Sequence, residues 1–139
     1  MHEYQRVVFG LAAKMTNGYS SSHKARDYVP RSDDTKNVYA VASGTVTDVL
    51  RGQRPGADDS NMVIVRNVDG NLTIYGHCDP SVNTGTTVSM GDKVGVCDLS
   101  GVSTGHHVHL VRMPSGDNSV RGVLDRQDDG VNYTCKGEV

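Results

Sequence analysis

Apolar and polar residues alternate along this chain in short runs separated by turn-forming residues, a period that belongs to strands rather than helices. Met62-Val63-Ile64-Val65-Arg66 is the densest run and predicts a strand. Asp69-Gly70 is a hairpin turn, and Asn71-Leu72-Thr73-Ile74-Tyr75-Gly76-His77 returns antiparallel to it. Val38 to Ala42 and Thr45 to Leu50 predict strands around a glycine kink at Gly44. Thr86 to Met90 and Lys93 to Cys97 predict two more, turning at Gly91-Asp92. A further strand starts at Val108. Residues 4–15 fit either a short helix or an edge strand. Residues 16–22, 31–37, 51–60, 80–85 and 114–122 are polar or rich in Gly, Pro and small residues, and predict loops; 51–60 is the expected mobile insertion. Beyond Gly122 only Val123-Leu124 and Val131 to Cys135 look packed. Roughly six to nine short strands give a mostly β fold, an antiparallel sheet with long surface loops and little helix.

With 139 residues the chain fits one domain, residues 1–139, able to bury its own core. Aromatics are 5% of residues, with no Trp and one Phe, so that core rests on Val, Leu, Ile, Met and Tyr. A net charge of −2 makes no electrostatic case for nucleic acid or an acidic membrane surface. No apolar run approaches the roughly 18–20 residues that span a bilayer, so membrane insertion is not expected. The apolar patch Val7 to Ala13 follows Glu3 and Arg6 and is broken by Gly10; it reads as a packed element rather than an export signal. Cys78, Cys97 and Cys135 are an odd set without a CxxC pair, which excludes a four-cysteine zinc knuckle. Buried free thiols are favoured over a Cys78–Cys97 or Cys78–Cys135 bridge.

The chemistry concentrates in Ser103-Thr104-Gly105-His106-His107-Val108-His109-Leu110. On a strand, His107 and His109 share one face about 7 Å apart, which suits a metal ligand beside a base. Far upstream, His23 and Asp27 stand four positions apart. That spacing converges the two groups on one helix face, or through a tight turn feeding a strand, the form Pro30 and the Ser-rich approach favour. Hydrolytic zinc takes three ligands from His, Asp or Glu and keeps a position for water, and His23, Asp27 and His109 form such a set. No HExxH helix is present, so any base comes from elsewhere: His77 and His107 are the candidates.

Five segments occur in the order of one family. They are His23-Lys24-Ala25-Arg26-Asp27, Val38-Tyr39-Ala40-Val41-Ala42-Ser43-Gly44-Thr45-Val46, Tyr75-Gly76-His77, Gly91-Asp92-Lys93-Val94, and Ser103 to His109. From about residue 17 to residue 125 the chain resembles the lysostaphin-like, LytM-type zinc endopeptidases of peptidase family M23. The resemblance implies one zinc ion per chain, bound by His23, Asp27 and His109. It implies that His77 and His107 act on water and on the tetrahedral intermediate. Three positions depart from the pattern: His106 stands for a usual Pro, Leu110 for a Phe, and Cys78 for a Leu. His106 is expected to turn away from the metal face, as a packing or supporting residue, and Cys78 to be an apolar contact. Tyr19 is expected to line the groove, and His2 to be a solvated terminal residue.

The implied activity is hydrolysis of cross-bridge or stem peptides in peptidoglycan, at the bacterial cell wall. The expected groove is walled by the 16–22, 51–60 and 114–122 loops. The absence of an export signal or wall-binding module points to a lysin from a phage, extracellular or virion-associated, with phage tail or lysin components as further partners. The alternative is a LytM-like domain that binds and regulates without catalysis; its signature is a lost ligand, and here all three positions are kept.

Overall fold

The computed structural model describes residues 2–4, 9, 13–30, 36–127 and 133–135. In chain order the strands are β1 (His2–Tyr4), β2 (Lys14–Asn17), β3 (Arg26–Val29), β4 (Asn37–Tyr39), β5 (Gly44–Leu50), β6 (Met62–Asn67), β7 (Asn71–Gly76), β8 (Cys78–Pro80), β9 (Thr87–Val88), β10 (Lys93–Cys97) and β11 (Val108–Pro114). The helix α1 (Val120–Arg126) and strand β12 (Tyr133–Cys135) follow. The fold is mostly antiparallel β with one short helix among the described residues, as expected for the class.

A seven-stranded sheet, in the order β2-β3-β11-β7-β6-β5-β9, forms the body. The three-stranded sheet β4-β10-β8 packs beside it, and β1 pairs parallel with β12. Strand periodicity explains the layering, because β6 buries both of its faces. Val63 and Val65 join Tyr28, Val46, Tyr75, Val108 and Leu110 in one apolar cluster, which β4, β8 and β10 complete with Val38, Cys78, Val94 and Cys97. Met62 and Ile64 face the other way, joining Ala25, Leu72, Ile74, Val111, Met113 and Val123. Helix α1 closes this second face through Val120, Val123 and Leu124. His109 has the parity of Val111 and Met113, and Asp27 that of Ala25, so both lie on the face that α1 covers farther along.

Two elements run into the margins of expected loops. Helix α1 begins inside the 114–122 segment, where Ser119 caps it by accepting from Gly122 N, and Val120 N donates to Asp48 Oδ2 at 2.7 Å. Gly122, which reads as a helix breaker, is required by closeness: a Cβ there would lie 2.3 Å from Asp117 Cγ. Strand β8 runs into the 80–85 loop and ends at Pro80, with its register set by Cys97 opposite Cys78. Both thiols are free and buried. Burial pushes the Cys78 thiol well up and that of Cys97 up to about 12, so both stay protonated. The side chains of Cys135 and His2 lie outside the described residues, as does most of the 4–15 segment. Its far end, with Thr16 and Asn17 of the expected loop, is the sheet-margin strand β2.

Candidate metal centre

The site forms where β3 and β11 pair. In that antiparallel ladder His109 sits directly opposite Asp27, and on its other side it faces Gly76 of β7. Same-face partners in such a ladder have Cβ atoms roughly 4.5–5.5 Å apart, so the register alone brings the carboxylate and imidazole together. Asp27 Oδ1 lies 3.3 Å from His109 Nδ1, and Asp27 Oδ2 lies 3.2 Å from His23 Nε2. His23 arrives from a tight turn, with backbone hydrogen bonds in both directions between it and Ser20. The turn, not a helix, makes the four-residue spacing converge. One ligand atom from each of His23, Asp27 and His109 falls within 4.8 Å of the others.

Gly76 is glycine for a local reason. A Cβ at that position would meet His109 Cβ at 3.1 Å and its Cδ2 at 3.5 Å. The bare backbone lets the ring lie across it.

Three imidazoles have their tautomer set by a backbone carbonyl. Nδ1 of His23 lies 3.2 Å from Gly18 O, Nδ1 of His107 lies 2.9 Å from Gly105 O, and Nδ1 of His77 lies 2.7 Å from Ser100 O. A carbonyl only accepts, so each Nδ1 carries the proton and each Nε2 of a neutral ring is left as a lone pair. The Nε2 of His107 stands 3.9 Å from Asp27 Oδ1. The rings of His77 and His107 are 4.6 Å apart between centroids, and those of His77 and His109 are 6.2 Å apart. All five expected residues therefore converge.

Electrostatics match this geometry. Burial pushes the Asp27 pKa up, but the approach of His109 and the charges of His109, His107 and His23 outweigh it, and the carboxyl is held below its ordinary 3.8. Burial pushes His77 down from 6.5; its Ser100 bond opposes the shift and the charges of His107 and His109 add to it. Asp27 Oδ1 is closed off from solvent without a well-formed hydrogen bond. A buried carboxylate oxygen without a well-formed hydrogen bond, set among imidazole nitrogens, suits a cation, and two imidazoles with one carboxylate fit zinc.

The sequence profile of peptidase family M23 matches residues 21–120. This chain belongs to peptidase family M23. The M23 fold is also what solved structures share with it. A zinc-containing peptidase from Vibrio cholerae aligns at TM-score 0.64 and 22% identity, over 79% of this chain and 36% of that one. Lysostaphin from Staphylococcus simulans aligns at TM-score 0.62 and 23% identity, over 85% of this chain and 49% of that one. A variant of the catalytic domain of EnpA, a prophage-encoded M23 protein from Enterococcus faecalis, aligns at TM-score 0.60 and 24% identity, over 84% of this chain and 91% of that one. The chain thus spans well under two thirds of the first two.

His106 departs from its expectation. Strand β11 begins at Val108, so strand alternation does not reach position 106. The residue is half-buried and lines a cleft of about 230 Å³ with Thr16, Asp27, Thr104 and His107. Cys78 is buried in the core, as an apolar contact should be. Tyr19 is 41% exposed, with its hydroxyl 3.4 Å from Lys24 Nζ. A second cavity, of about 180 Å³, flanks His77 and His109 and includes Asp58, Asp59 and Ser60 of the 51–60 loop. Its far wall is Leu124 and Gln127, at the end of the helix, in place of the expected 114–122 loop. The groups that hold His77, namely the Ser100 carbonyl and the Ser60 hydroxyl (3.1 Å from His77 N), were not singled out in the sequence. No spacing marks a backbone acceptor.

Proposed function

We propose that this chain is a zinc-dependent endopeptidase that hydrolyses peptide bonds of bacterial peptidoglycan, in cross-bridges or stem peptides. The observation that carries the reading is the pairing of β3 with β11, which gathers His23, Asp27 and His109 around one point with two unligated imidazoles beside them. His23, Asp27 and His109 would hold the ion. When bound, zinc supplies Lewis acidity, drawing electrons from a water and from the scissile carbonyl.

The residues of the chain do the rest. Asp27 keeps its charge at neutral pH, so it offers a full negative ligand. Gly76 leaves the space against its backbone that the His109 side chain occupies. His107 and His77 present bare Nε2 atoms to the cleft, so both begin as proton acceptors. They divide two tasks: the one that takes the proton of the attacking water returns it to the leaving amine, and the other stabilises the oxyanion in its doubly protonated form, when its Nε2 carries a proton to donate. The two cavities flanking the histidines give an extended peptide a path across the site. The prophage origin of the EnpA protein supports a role as a lysin domain acting at the cell wall, alongside other phage tail or lysin components.

The test is metal analysis of the purified protein together with digestion of walls of several peptidoglycan types and mass spectrometry of the released muropeptides. Zinc near one per chain and new peptide termini are expected. Zinc-loaded protein that cleaves no wall would overturn the reading in favour of a binding domain.

A further inference from the structure

His77 occupies a corner of the chain. Strand β7 ends at Gly76 in the large sheet, β8 begins at Cys78 in the small one, and His77 between them has φ of 56°. Among the described residues it is the non-glycine residue with a left-handed backbone. Such a conformation is unfavourable for a residue with a Cβ and persists only where neighbours over-determine it.

The neighbours form a closed hydrogen-bonded ring that leads to Asp98. Asp98 N donates to His77 O at 2.8 Å. His77 Nδ1 donates to Ser100 O. Ser100 N and Ser100 Oγ both donate to Asp98 Oδ1, the former at 2.9 Å. The other carboxylate oxygen, Oδ2, accepts from Asn61 Nδ2 at 2.8 Å, and Asn61 N donates to Ser100 Oγ at 2.9 Å. Asn61 and Ser100 are 5% and 2% exposed, so water does not readily substitute for these bonds. Through Asn61 the ring also reaches the groove wall, since Asn61 Oδ1 accepts from Gln53 N, while Gly56 and Arg54 bond with Gly101.

We propose that Asp98 is a positioning residue for the peptidase reaction, acting through the main chain of Ser100 to hold His77 as the Nδ1–H tautomer with Nε2 turned to the cleft. The inference rests on the reading of His77 as a catalytic imidazole. A carboxylate is the side chain the place requires: three donors from two chain segments point at it, and a neutral amide accepts through only one of its ends. Without it the Ser100 carbonyl is free to rotate away. His77 then loses the acceptor that distinguishes its two nitrogens, and the ring samples both tautomers. The five residues considered from sequence say nothing of this, because Asp98 touches neither the metal ligands nor the cleft.

The experiment compares wild type, Asp98→Ala, Asp98→Asn and Ser100→Ala as zinc-loaded proteins, by two-dimensional NMR of the ¹⁵N-labelled histidine rings and by steady-state kinetics on a soluble peptidoglycan peptide. In the wild type the His77 pattern is that of Nδ1–H. In Asp98→Ala it moves to a tautomer mixture, zinc content is unchanged, and kcat falls about 10- to 100-fold with little change in KM, the range seen when partners of site residues are removed. Asp98→Asn keeps one acceptor for Ser100 and recovers part of both readouts. Ser100→Ala removes only the hydroxyl links and gives an intermediate pattern. An unaltered His77 spectrum in a folded Asp98→Ala protein overturns the proposal whatever the activity. If that variant does not fold, unaltered spectra in both Asp98→Asn and Ser100→Ala do the same. Because the ring spectrum is read without turnover, a wild type that proves to cleave nothing counts against the peptidase reading alone.

Discussion

Asp27 and His109 are 82 positions apart in the chain and directly opposite each other in the ladder, with Oδ1 of one 3.3 Å from Nδ1 of the other. Strand side chains alternate faces, so a slip of one residue in this pairing would turn one of the two groups to the opposite side. Forming the site and setting the register of β3 on β11 are one event. Replacing either residue by alanine leaves two donors. Asp27→Ala or His109→Ala is expected to bring zinc from about one per chain to near zero by elemental analysis after gel filtration, with wall lysis abolished and the far-ultraviolet spectrum unchanged. Either variant retaining stoichiometric zinc would remove that residue from the ligand set.

His107 should separate metal binding from chemistry. Its Nδ1 is anchored to the Gly105 carbonyl, and its Nε2 stands farther from Asp27 than the nitrogens of His23 or His109. His107→Ala is expected to keep its zinc and lose about 10²- to 10⁴-fold in kcat, the usual contribution of a positioned acid–base group. Lysis of walls at an undiminished rate would end its assignment.

Gly76 offers a test that touches no donor atom. In Gly76→Ala the new methyl presses on His109 Cβ, and the ring must give by a few tenths of an ångström. The expected result is zinc affinity lowered about 10-fold or more, measured by competition with a chelating dye, while the metal-free protein melts close to wild type. Equal affinities for the two proteins would show that the ring has room to spare.

Acid should destabilise the metal-free protein partly through His77. Burial first, then the charges of His107 and His109, hold its folded pKa below 6.5. As the pH falls below 6.5 the unfolded chain takes up a proton that the folded imidazole refuses. The unfolded state then binds more protons, so stability drops from about pH 6.5 down to the folded value and levels off beneath it. Urea midpoints of chelator-treated protein at about pH 7.5 and 5.5 measure the slope. His77→Asn, which tolerates the left-handed backbone, should show a shallower slope; an identical slope would mean that His77 titrates normally in the folded state.

Much of this was legible in the residues. Branched apolar alternation gave β6, β7 and β10 nearly to the residue, because packing on both faces leaves those strands little freedom. The H-x-x-x-D spacing was compatible with a helix or a turn, and Pro30 with the serines before His23 favoured the turn that is found. Helix α1 was hidden because Val120, Gly122 and Val123 are weak helix formers, and its cap and its contact with Asp48 are tertiary. The strand start at Val108 was legible, but the alternation it sets does not extend back to His106. The orientation of His77 was out of reach, since its corner is held by backbone groups that leave no mark in sequence.

Strand β3 lies between the margin strand β2 and β11, so the residues proposed to grip the ion also fasten the rim of the large sheet to its middle. An ion there would work as a rivet in the architecture as well as a reagent. Chelation would loosen the 14–29 hairpin before anything else, leaving the outer hydrogen-bonding groups of β11 open to a neighbouring molecule. Shelf life, and resistance to the proteases of a lysed cell, would then depend on the same atom as turnover.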